Sequence, residues 1–430
     1  MPALFVVNLS LPNHAAAIGE GSGNAGRHNW LRIAQNALLL VTLAGGTYFL
    51  TNDYGKRAKG TDFPDFYTAA RMVRDGYGHQ LYDFQAQDRF QILYAGRTGT
   101  YYIHPPFETL LFLPISLWSL QTAYLLWCLF NVAVLVYTAR VFQRHVCNRL
   151  DWRILLPLFL LFPPVLINFQ QGQDSLLLLL ILTLAFVELR RNRNFSAGCL
   201  LGCGLFKFHI VFALVGLLLS LRRRGLLGGF ALVFVTLLLV SAGISGWTFV
   251  TAYPRFLAKL SGMPLAGIHP AAMANMRGLV SVSGIVSDTA VQLFLTWLGS
   301  VFLFWYAGTN VKDSRSKFAG ATSLVFGNFV LAAILVSYHL SPSDLCIALL
   351  PIGLLLAYQT KDSGMPRWAR LSLLGCQCVL FLPPLHLILL AWHVYACASI
   401  PVLIMFLLTS RGIRRNAIPR NAEGEEVLSH

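Results

Sequence analysis

Long apolar runs recur along the whole chain and restrict its fold more than any other feature. A helix needs about 20 predominantly apolar residues to cross the hydrocarbon core of a bilayer. Only helices and closed barrels satisfy their backbone polar groups there. Each run near this length therefore predicts a membrane helix. The candidate spans are 32–51, 121–142, 154–168, 175–190, 226–248, 289–309, 318–337, 344–358, 370–391 and 393–410.

Composition agrees with a membrane location. Apolar residues make up 56% of the 430 residues and charged residues 12%, whereas soluble proteins carry about 25% charged residues. This balance excludes a soluble enzyme, a disordered protein and a conventional nucleic-acid binder. The chain is predicted to be an all-α, multispanning transmembrane helical bundle with about 10–12 membrane helices.

The distribution of basic residues predicts the topology. Lysine and arginine concentrate in cytoplasmic loops, and here they cluster between apolar runs, as at Arg222–Arg224. We place the N-terminus in the cytoplasm and treat 196–221 as a re-entrant hairpin. The cytoplasmic side then holds 22 of the 33 basic and 8 of the 18 acidic residues. The outer side holds 10 of each, and Lys207 lies in the hairpin. The net charge of +15 thus reflects topology, and no nucleic-acid partner is expected.

This topology divides the chain into three parts. A polar cytoplasmic segment, 1–30, has no signal-peptide pattern. The transmembrane domain, 31–410, is followed by a disordered cytoplasmic tail, 411–430. The domain has two long outer loops, 52–104 and 250–278. Helical spacing in the first loop predicts two amphipathic helices, 63–73 and 84–93, that lie on the membrane surface with their apolar sides down.

The eight cysteines lie mostly inside apolar runs, where free cysteine behaves as a small apolar residue. Neither a CxxC pair nor a Cys/His spacing typical of zinc sites occurs. We therefore predict neither a metal site nor a cofactor.

Unusual polar residues converge on the outer side. Outer-loop carboxylates are usually only solvated, and Asp174 could simply cap the following helix. Lys207 is harder to explain this way, because a lysine at the bilayer centre costs roughly 2.5–3.5 kcal/mol. An anion or a water-filled cavity is expected beside it. The candidate site residues are Asp62, Asp65, His104, Gln173, Asp174, Lys207, Asn275, Arg277 and His339.

Several short motifs, in order from about residue 60 to 345, resemble glycosyltransferase family 87. These are multispanning enzymes of the GT-C class, including mannosyltransferases that use polyprenol-phosphate-mannose. His104 stands where the family usually has tyrosine, Asp174 precedes the position of its usual asparagine, and Phe208-His209 replaces a frequent proline. The motifs are Asp62-Phe63-Pro64-Asp65-Phe66-Tyr67-Thr68-Ala69-Ala70, Leu81-Tyr82-Asp83, Tyr102-Ile103-His104-Pro105-Pro106, Gly172-Gln173-Asp174-Ser175-Leu176, Ala197-Gly198 with Gly202, Gly204 and Lys207, and Asn275-Met276-Arg277-Gly278-Leu279.

The resemblance implies an inverting glycosyltransferase of the inner (plasma) membrane with its active site on the periplasmic side. The donor would be a polyprenyl-phosphate sugar, with mannose favoured, and the acceptor a glycolipid, glycan or protein. Asp62 holds the position of the general base, with Asp65 as the fallback. Lys207 and Arg277 are expected to meet the donor phosphate, with His104 and His339 as hydrogen-bond partners.

Two other functions remain open from the sequence. A buried lysine among many helices is also compatible with a transporter or a lipid-sugar flippase, and a membrane scaffold is the third possibility. Transporters bind substrate near the bilayer midplane on broken helices. The carboxylates in a long outer loop favour the enzyme.

Overall fold

Helices form every regular element in the part of the chain that the computed structural model describes, which confirms the all-α prediction. Described are residues 59–221, 224–261, 269–312, 318–359 and 365–417, with 33, 35–37 and 40. The α-helices are α1 (Phe63–Arg74), α2 (Phe84–Ala95), α3 (Thr109–Phe112), α4 (Leu120–His145), α5 (Trp152–Leu161), α6 (Pro163–Gln171), α7 (Ser175–Arg190), α8 (Asn194–Cys203), α9 (Phe208–Leu219), α10 (Arg224–Ser245), α11 (Phe249–Ser261), α12 (Met276–Val282), α13 (Thr289–Lys312), α14 (Phe318–Val336), α15 (Leu349–Gln359), α16 (Arg367–Leu380), α17 (Pro383–Ala391) and α18 (Ser399–Ala417). Short 3-10 helices lie at Gly78–Gln80, Pro106–Glu108, Ile115–Leu117, Leu205–Lys207, Pro270–Ala272, Asp344–Ala348 and Tyr395–Ala398.

Several of these helices can cross a bilayer. Within the described ranges, α4, α10, Thr289–Thr309 of α13 and Tyr395–Arg414 are long and apolar enough. Three bent pairs also pass when each is taken together, which gives up to seven spans. The count of about 10–12 membrane helices therefore stays a prediction. The segment 1–30 lies outside the described residues, as does most of the predicted first span, 32–51.

Two of the predicted spans, 154–168 and 370–391, are each formed by two helices. The pair α5 and α6 is bent by 72°, and the pair α16 and α17 by 63°. In both cases a proline pair begins the second helix, and the residue before it, Phe162 or Leu382, is extended. Proline lacks an N–H group and disfavours helical backbone in the residue before it. These prolines explain the bends. Each pair fits one broken span or a re-entrant loop, so the two spans stay predictions.

The segment 196–221 is likewise two helices, α8 and α9, with a bend of 64°. Glycines let α8 lie directly against α10: a Cβ on Gly198 would overlap the carbonyl oxygen of Leu226, and one on Gly229 that of Phe195. Close approach of this kind is a common way to pack membrane helices. The bend turns the chain at Leu205–Lys207. A broken span and a re-entrant hairpin both fit it, so the hairpin stays a prediction.

The segment 52–104, predicted to be an outer loop, contains the two helices that its sequence predicts, but the orientation predicted for α1 was wrong. Its apolar side is buried by protein: Phe66 stacks on Phe112 with ring centroids 4.7 Å apart, and Phe63 meets Tyr124 at 5.3 Å. The segment 105–118 forms a layer of short helices, and this layer covers the apolar side of α1. Amphipathic spacing identifies the apolar side of a helix but not what covers it.

The disordered tail was predicted to begin at residue 411, but helix α18 continues to Ala417. The Arg414 guanidinium lies 4.4 Å over the ring of Tyr306. Basic residues suit the last turn of a helix because they meet its negative end. Residues 418–430 lie outside the described part.

Candidate active site

A cavity of about 660 Å³ lies where the segment 59–104 meets the Lys207 bend. Six of the nine predicted site residues line it, although they come from distant parts of the chain. The cavity wall also includes segments around Tyr253, Met273 and Tyr338. The six are Asp62, Asp65, His104, Gln173, Lys207 and His339.

Asp62 presents its carboxylate at the start of α1. The residue is half-buried, and its side chain makes no capping hydrogen bond to the helix. Instead Gln173 Nε2 donates to Asp62 Oδ2 at 2.7 Å. The backbone N–H of Asp62 donates to Gln171 Oε1 at 3.3 Å. Gln171 in α6 and Gln173 in the turn after it therefore position Asp62, whose carboxylate faces the cavity.

Gly172 makes this contact possible. It ends α6 in the left-handed region, with φ +67°, and a Cβ there would lie 2.7 Å from Phe63 Cβ. A side chain would therefore push the turn away from the first residue of α1. Close packing at this glycine brings Gln173 within reach of Asp62.

We expect Gly172→Ala to destabilise the fold by about 1–3 kcal/mol more than Gly96→Ala, because overpacking costs about that much. Gly96 is the matched control: its φ is +66°, so alanine is equally strained there, but it has open space around it. Thermal unfolding of the two variants measures the difference. Equal shifts in melting temperature would show that the contact with Phe63 relaxes at no cost.

Asp65, the fallback base, is held by protein groups. Its Oδ1 accepts hydrogen bonds from Gln91 Nε2 at 3.1 Å, Arg97 Nη2 at 2.9 Å and Thr100 Oγ1 at 2.7 Å. Burial raises the pKa of Asp65 to about 6, although the Arg97 charge opposes the shift. These contacts connect α1 to α2 and to the segment after it. The geometry favours Asp62 over Asp65 as the free carboxylate.

Lys207 is buried at the bend between α8 and α9 and has three acceptors. Its Nζ lies 3.1 Å from Gln173 Oε1, 3.2 Å from Asp174 Oδ1 and 3.1 Å from Asp344 Oδ1. An ammonium has three N–H donors, so each has a partner in the structure. Gln173 thus connects Lys207 to Asp62, one amide atom to each.

The carboxylates around Lys207 are themselves oriented. Asp344 accepts from Ser175 Oγ at 2.6 Å and from the backbone N–H of Ser341 at 2.8 Å. Asp174 precedes α7, but its side chain makes no capping hydrogen bond; Asn168 Oδ1 accepts from the Ser175 N–H instead. The simple capping explanation of Asp174 is therefore wrong.

A second group lies behind the cavity wall. His104 Nδ1 is 2.9 Å from Glu108 Oε2, and Glu108 is fully buried. His104, Glu108 and Asp174 each offer one possible metal-ligand atom, and these three atoms lie within 4.8 Å of one another. Burial raises the pKa of Glu108 to about 8 and lowers that of His104 to about 4. The sequence spacing predicts no metal site, yet the fold brings these three potential ligands together.

Two histidines complete the wall beside Lys207. The rings of His209 and His339 lie 6.0 Å apart, edge to face, and both line the cavity. His209 Nε2 and His339 Nδ1 are buried without a hydrogen-bond partner in the described structure. Burial lowers the pKa of His339 to about 4. A neutral imidazole can present one N–H donor to a ligand.

Three predicted residues do not line the cavity: Asp174, described above, Asn275 and Arg277. Asn275 is fully buried; its Oδ1 accepts from the Gly278 N–H at 2.9 Å and caps α12, and its Nδ2 donates to the Ser337 carbonyl at 2.8 Å. The Arg277 guanidinium lies 4.2 Å over the ring of Tyr338, which does line the cavity. Binding roles for Asn275 and Arg277 stay predictions.

Two tyrosines hold the backbone beside His104 at the cavity. Tyr253 of α11 donates to the Ile103 carbonyl at 2.8 Å, and Tyr82 donates to the His104 carbonyl at 2.9 Å. These bonds fix the backbone on both sides of the His104 side chain.

Sequence reasoning missed Glu108, Asp344 and His209. A signal existed for the two carboxylates, because each is an isolated acid at the edge of an apolar run. A buried lysine requires neutralising partners, but the sequence does not say which acids supply them. No spacing rule relates His209 to His339.

Comparison with known proteins identifies the enzyme class. The family model described as "Glycosyltransferase family 87" matches residues 102–338. No curated protein and no solved structure matches the chain. The match contains His104, Gln173, Asp174, Lys207, Asn275 and Arg277. The chain is a multi-pass membrane glycosyltransferase and belongs to glycosyltransferase family 87.

Proposed function

We propose that the chain transfers a sugar from a polyprenyl-phosphate donor to a hydroxyl group of an acceptor, with inversion at the anomeric carbon. Asp62 takes the proton of the acceptor hydroxyl as its oxygen attacks, and the bond from the anomeric carbon to the donor phosphate breaks. The fold is proposed to be of the GT-C type, with the site on the periplasmic side of the inner membrane.

The observation that carries this proposal is the position of Asp62. Its carboxylate is oriented by Gln173 at 2.7 Å and faces a cavity of about 660 Å³, a volume typical of small-molecule sites. A general base must reach the proton that it accepts, at about 2.6–3.2 Å from the donor oxygen. Asp62 has no arginine or lysine partner within ion-pair distance in the described structure.

The leaving phosphate gains charge as the bond breaks, and preorganised donors and cations stabilise such charge. The unpartnered nitrogens of His209 and His339 and the positive charge of Lys207 meet this need at one side of the cavity. Because its three donors already have acceptors, Lys207 acts mainly through its charge and through Gln173. Arg277 beside Tyr338 is the second cation proposed for the phosphate.

An apolar groove of about 160 Å³ supports a lipid-linked donor. It shares Phe208 and Tyr253 with the cavity and continues along Phe212, Phe234 and Leu238 between α9 and α10. Helices α10 and α13 expose many apolar side chains that suit contact with lipid. A polyprenyl chain can follow this groove while its phosphate and sugar occupy the cavity.

The resemblance of the motifs favours mannose as the sugar and a glycolipid, glycan or protein as the acceptor. The test uses the purified protein in lipid nanodiscs with a mixed glycolipid and glycan acceptor fraction. Labelled polyprenyl-phosphate-mannose should give labelled product, while labelled polyprenyl-phosphate-glucose and GDP-mannose should give far less. Transfer from the nucleotide sugar alone would exclude the lipid donor, and equal transfer of both lipid-linked sugars would exclude mannose specificity.

A further inference from the structure

We propose that His104, Glu108 and Asp174 form a divalent-cation site behind the cavity wall. Each residue offers one ligand atom, and the three atoms lie within 4.8 Å of one another. The set combines one imidazole nitrogen with two carboxylate oxygens, which are ligands that zinc and manganese accept. This site does not depend on the proposed sugar donor or acceptor.

The distances fit a single cation. Two neighbouring ligands bound at about 2.1 Å lie about 3.0 Å apart in octahedral geometry. His104 Nδ1 and Glu108 Oε2 are 2.9 Å apart. Opposite ligands at the same bond length lie about 4.2 Å apart, and no two of the three ligand atoms lie more than 4.8 Å apart, so small movements bring all three to one ion. Rotation of the carboxylates can supply that change.

Unpartnered oxygens point to a missing ligand. Glu108 is fully buried; its Oε2 lies 2.9 Å from His104 Nδ1, and its Oε1 has no donor in the described structure. Asp174 is also fully buried; its Oδ1 meets Lys207 Nζ at 3.2 Å, and its Oδ2 has no donor in the described structure. A buried carboxylate without donors is costly, and a bound cation removes that cost.

Charge balance supports a divalent ion. The buried cluster of Glu108, Asp174, Asp344 and Lys207 carries three carboxylates and one ammonium. With all four ionised its net charge is −2, and one divalent cation neutralises it. Lys207 occupies Asp174 Oδ1 at 3.2 Å, which leaves Oδ2 for the ion. The competing explanation is that Glu108 and Asp174 hold protons instead.

The backbone around His104 is prepared for ligand binding. Tyr82 and Tyr253 fix the carbonyl groups of His104 and Ile103, and outer contacts of this kind orient metal ligands. His104 lines the cavity, so an ion can reach the site past it. If the proposed function is correct, the ion adds positive charge on the side of the cavity where the phosphate leaves.

The test measures binding of the metal alone. Protein stripped with a chelator is titrated with Mn²⁺, and free Mn²⁺ is followed by electron paramagnetic resonance, with Zn²⁺ as a competitor. We expect one saturable site per chain that Zn²⁺ displaces. Glu108→Gln and His104→Gln should each weaken binding by at least about tenfold, since each removes a ligand.

Glu188→Gln is the matched control, because Glu188 pairs with Arg191 at 3.1 Å, away from the cluster, and it should bind as the unmodified protein does. Absence of a saturable site, or unchanged affinity in both ligand variants, would overturn the proposal in favour of proton binding. If Glu108→Gln does not fold, the Mn²⁺ affinity of His104→Gln, a substitution at the cavity wall, tests the proposal. Metal binding without sugar transfer would contradict the proposed function and leave the cation site standing.

Discussion

Asp62→Asn should reduce sugar transfer by at least about 10²–10⁴-fold, the usual contribution of a general base. Asparagine has the size of aspartate and its Oδ1 can still accept from Gln173 Nε2, which lies 2.7 Å from Asp62 Oδ2. The variant should therefore fold and bind donor normally, because only proton acceptance is lost. Initial transfer rates at saturating donor, with thermal unfolding as the check of folding, measure the effect.

Two further substitutions make this result specific. Asp288→Asn is the matched control: Asp288 Oδ1 accepts from the Val291 N–H at 3.0 Å outside the cavity, and asparagine caps a helix equally well. It should keep full activity. Asp65→Asn weakens the contact with Arg97 at 2.9 Å and should mainly lower stability. Near-normal transfer by Asp62→Asn together with inactive Asp65→Asn would reassign the base to Asp65.

Lys207→Met should destabilise the protein by about 3–5 kcal/mol and abolish transfer. Removing one partner of a buried ion pair leaves an uncompensated charge, and this usually costs that much. Asp174 and Asp344 lie 3.2 and 3.1 Å from Lys207 Nζ and are both fully buried. Lys259→Met, on an exposed position of α11, should change stability little. Chemical or thermal unfolding in nanodiscs measures both.

A double variant separates charge from packing. Asp344→Asn in the Lys207→Met background removes one of the two stranded carboxylates, so part of the lost stability should return. Residues in direct contact typically show such coupling, of about 0.5–3 kcal/mol. If the stability losses of Lys207→Met and Asp344→Asn simply add in the double variant, Lys207 acts through packing alone. If Lys207→Met is as stable as the unmodified protein, Asp174 and Asp344 become protonated at little cost when the ammonium is removed.

Much of the site could be predicted because its chemistry leaves local marks. An aspartate before an amphipathic helix, a glutamine in a polar outer turn and a lysine inside an apolar run are each visible in the sequence. Six of the nine predicted residues line one cavity. The order of the motifs predicted that these residues lie together, since a charge count alone assigns residues to a side of the membrane and not to a cavity.

Packing decides which contacts each polar residue makes. Asp65 pairs with Arg97, and Asn275 accepts from the N–H group of Gly278, and no motif shows either partner. Glu108 and Asp344 were missed because acids in apolar runs have no periodic pattern. Whether such an acid belongs to the site depends on which helix packs beside it.

The sequence by itself determined that this chain is helical and spans a membrane. Twenty-residue apolar runs suit only that environment, and their helical hydrogen bonds are local. The tertiary structure alone decided the partners of each polar group. Ser175 and Asp344 are 169 residues apart, yet they form a hydrogen bond of 2.6 Å. Such contacts depend on bends, glycine approaches and helix packing, which involve the whole chain at once, so no local pattern specifies them.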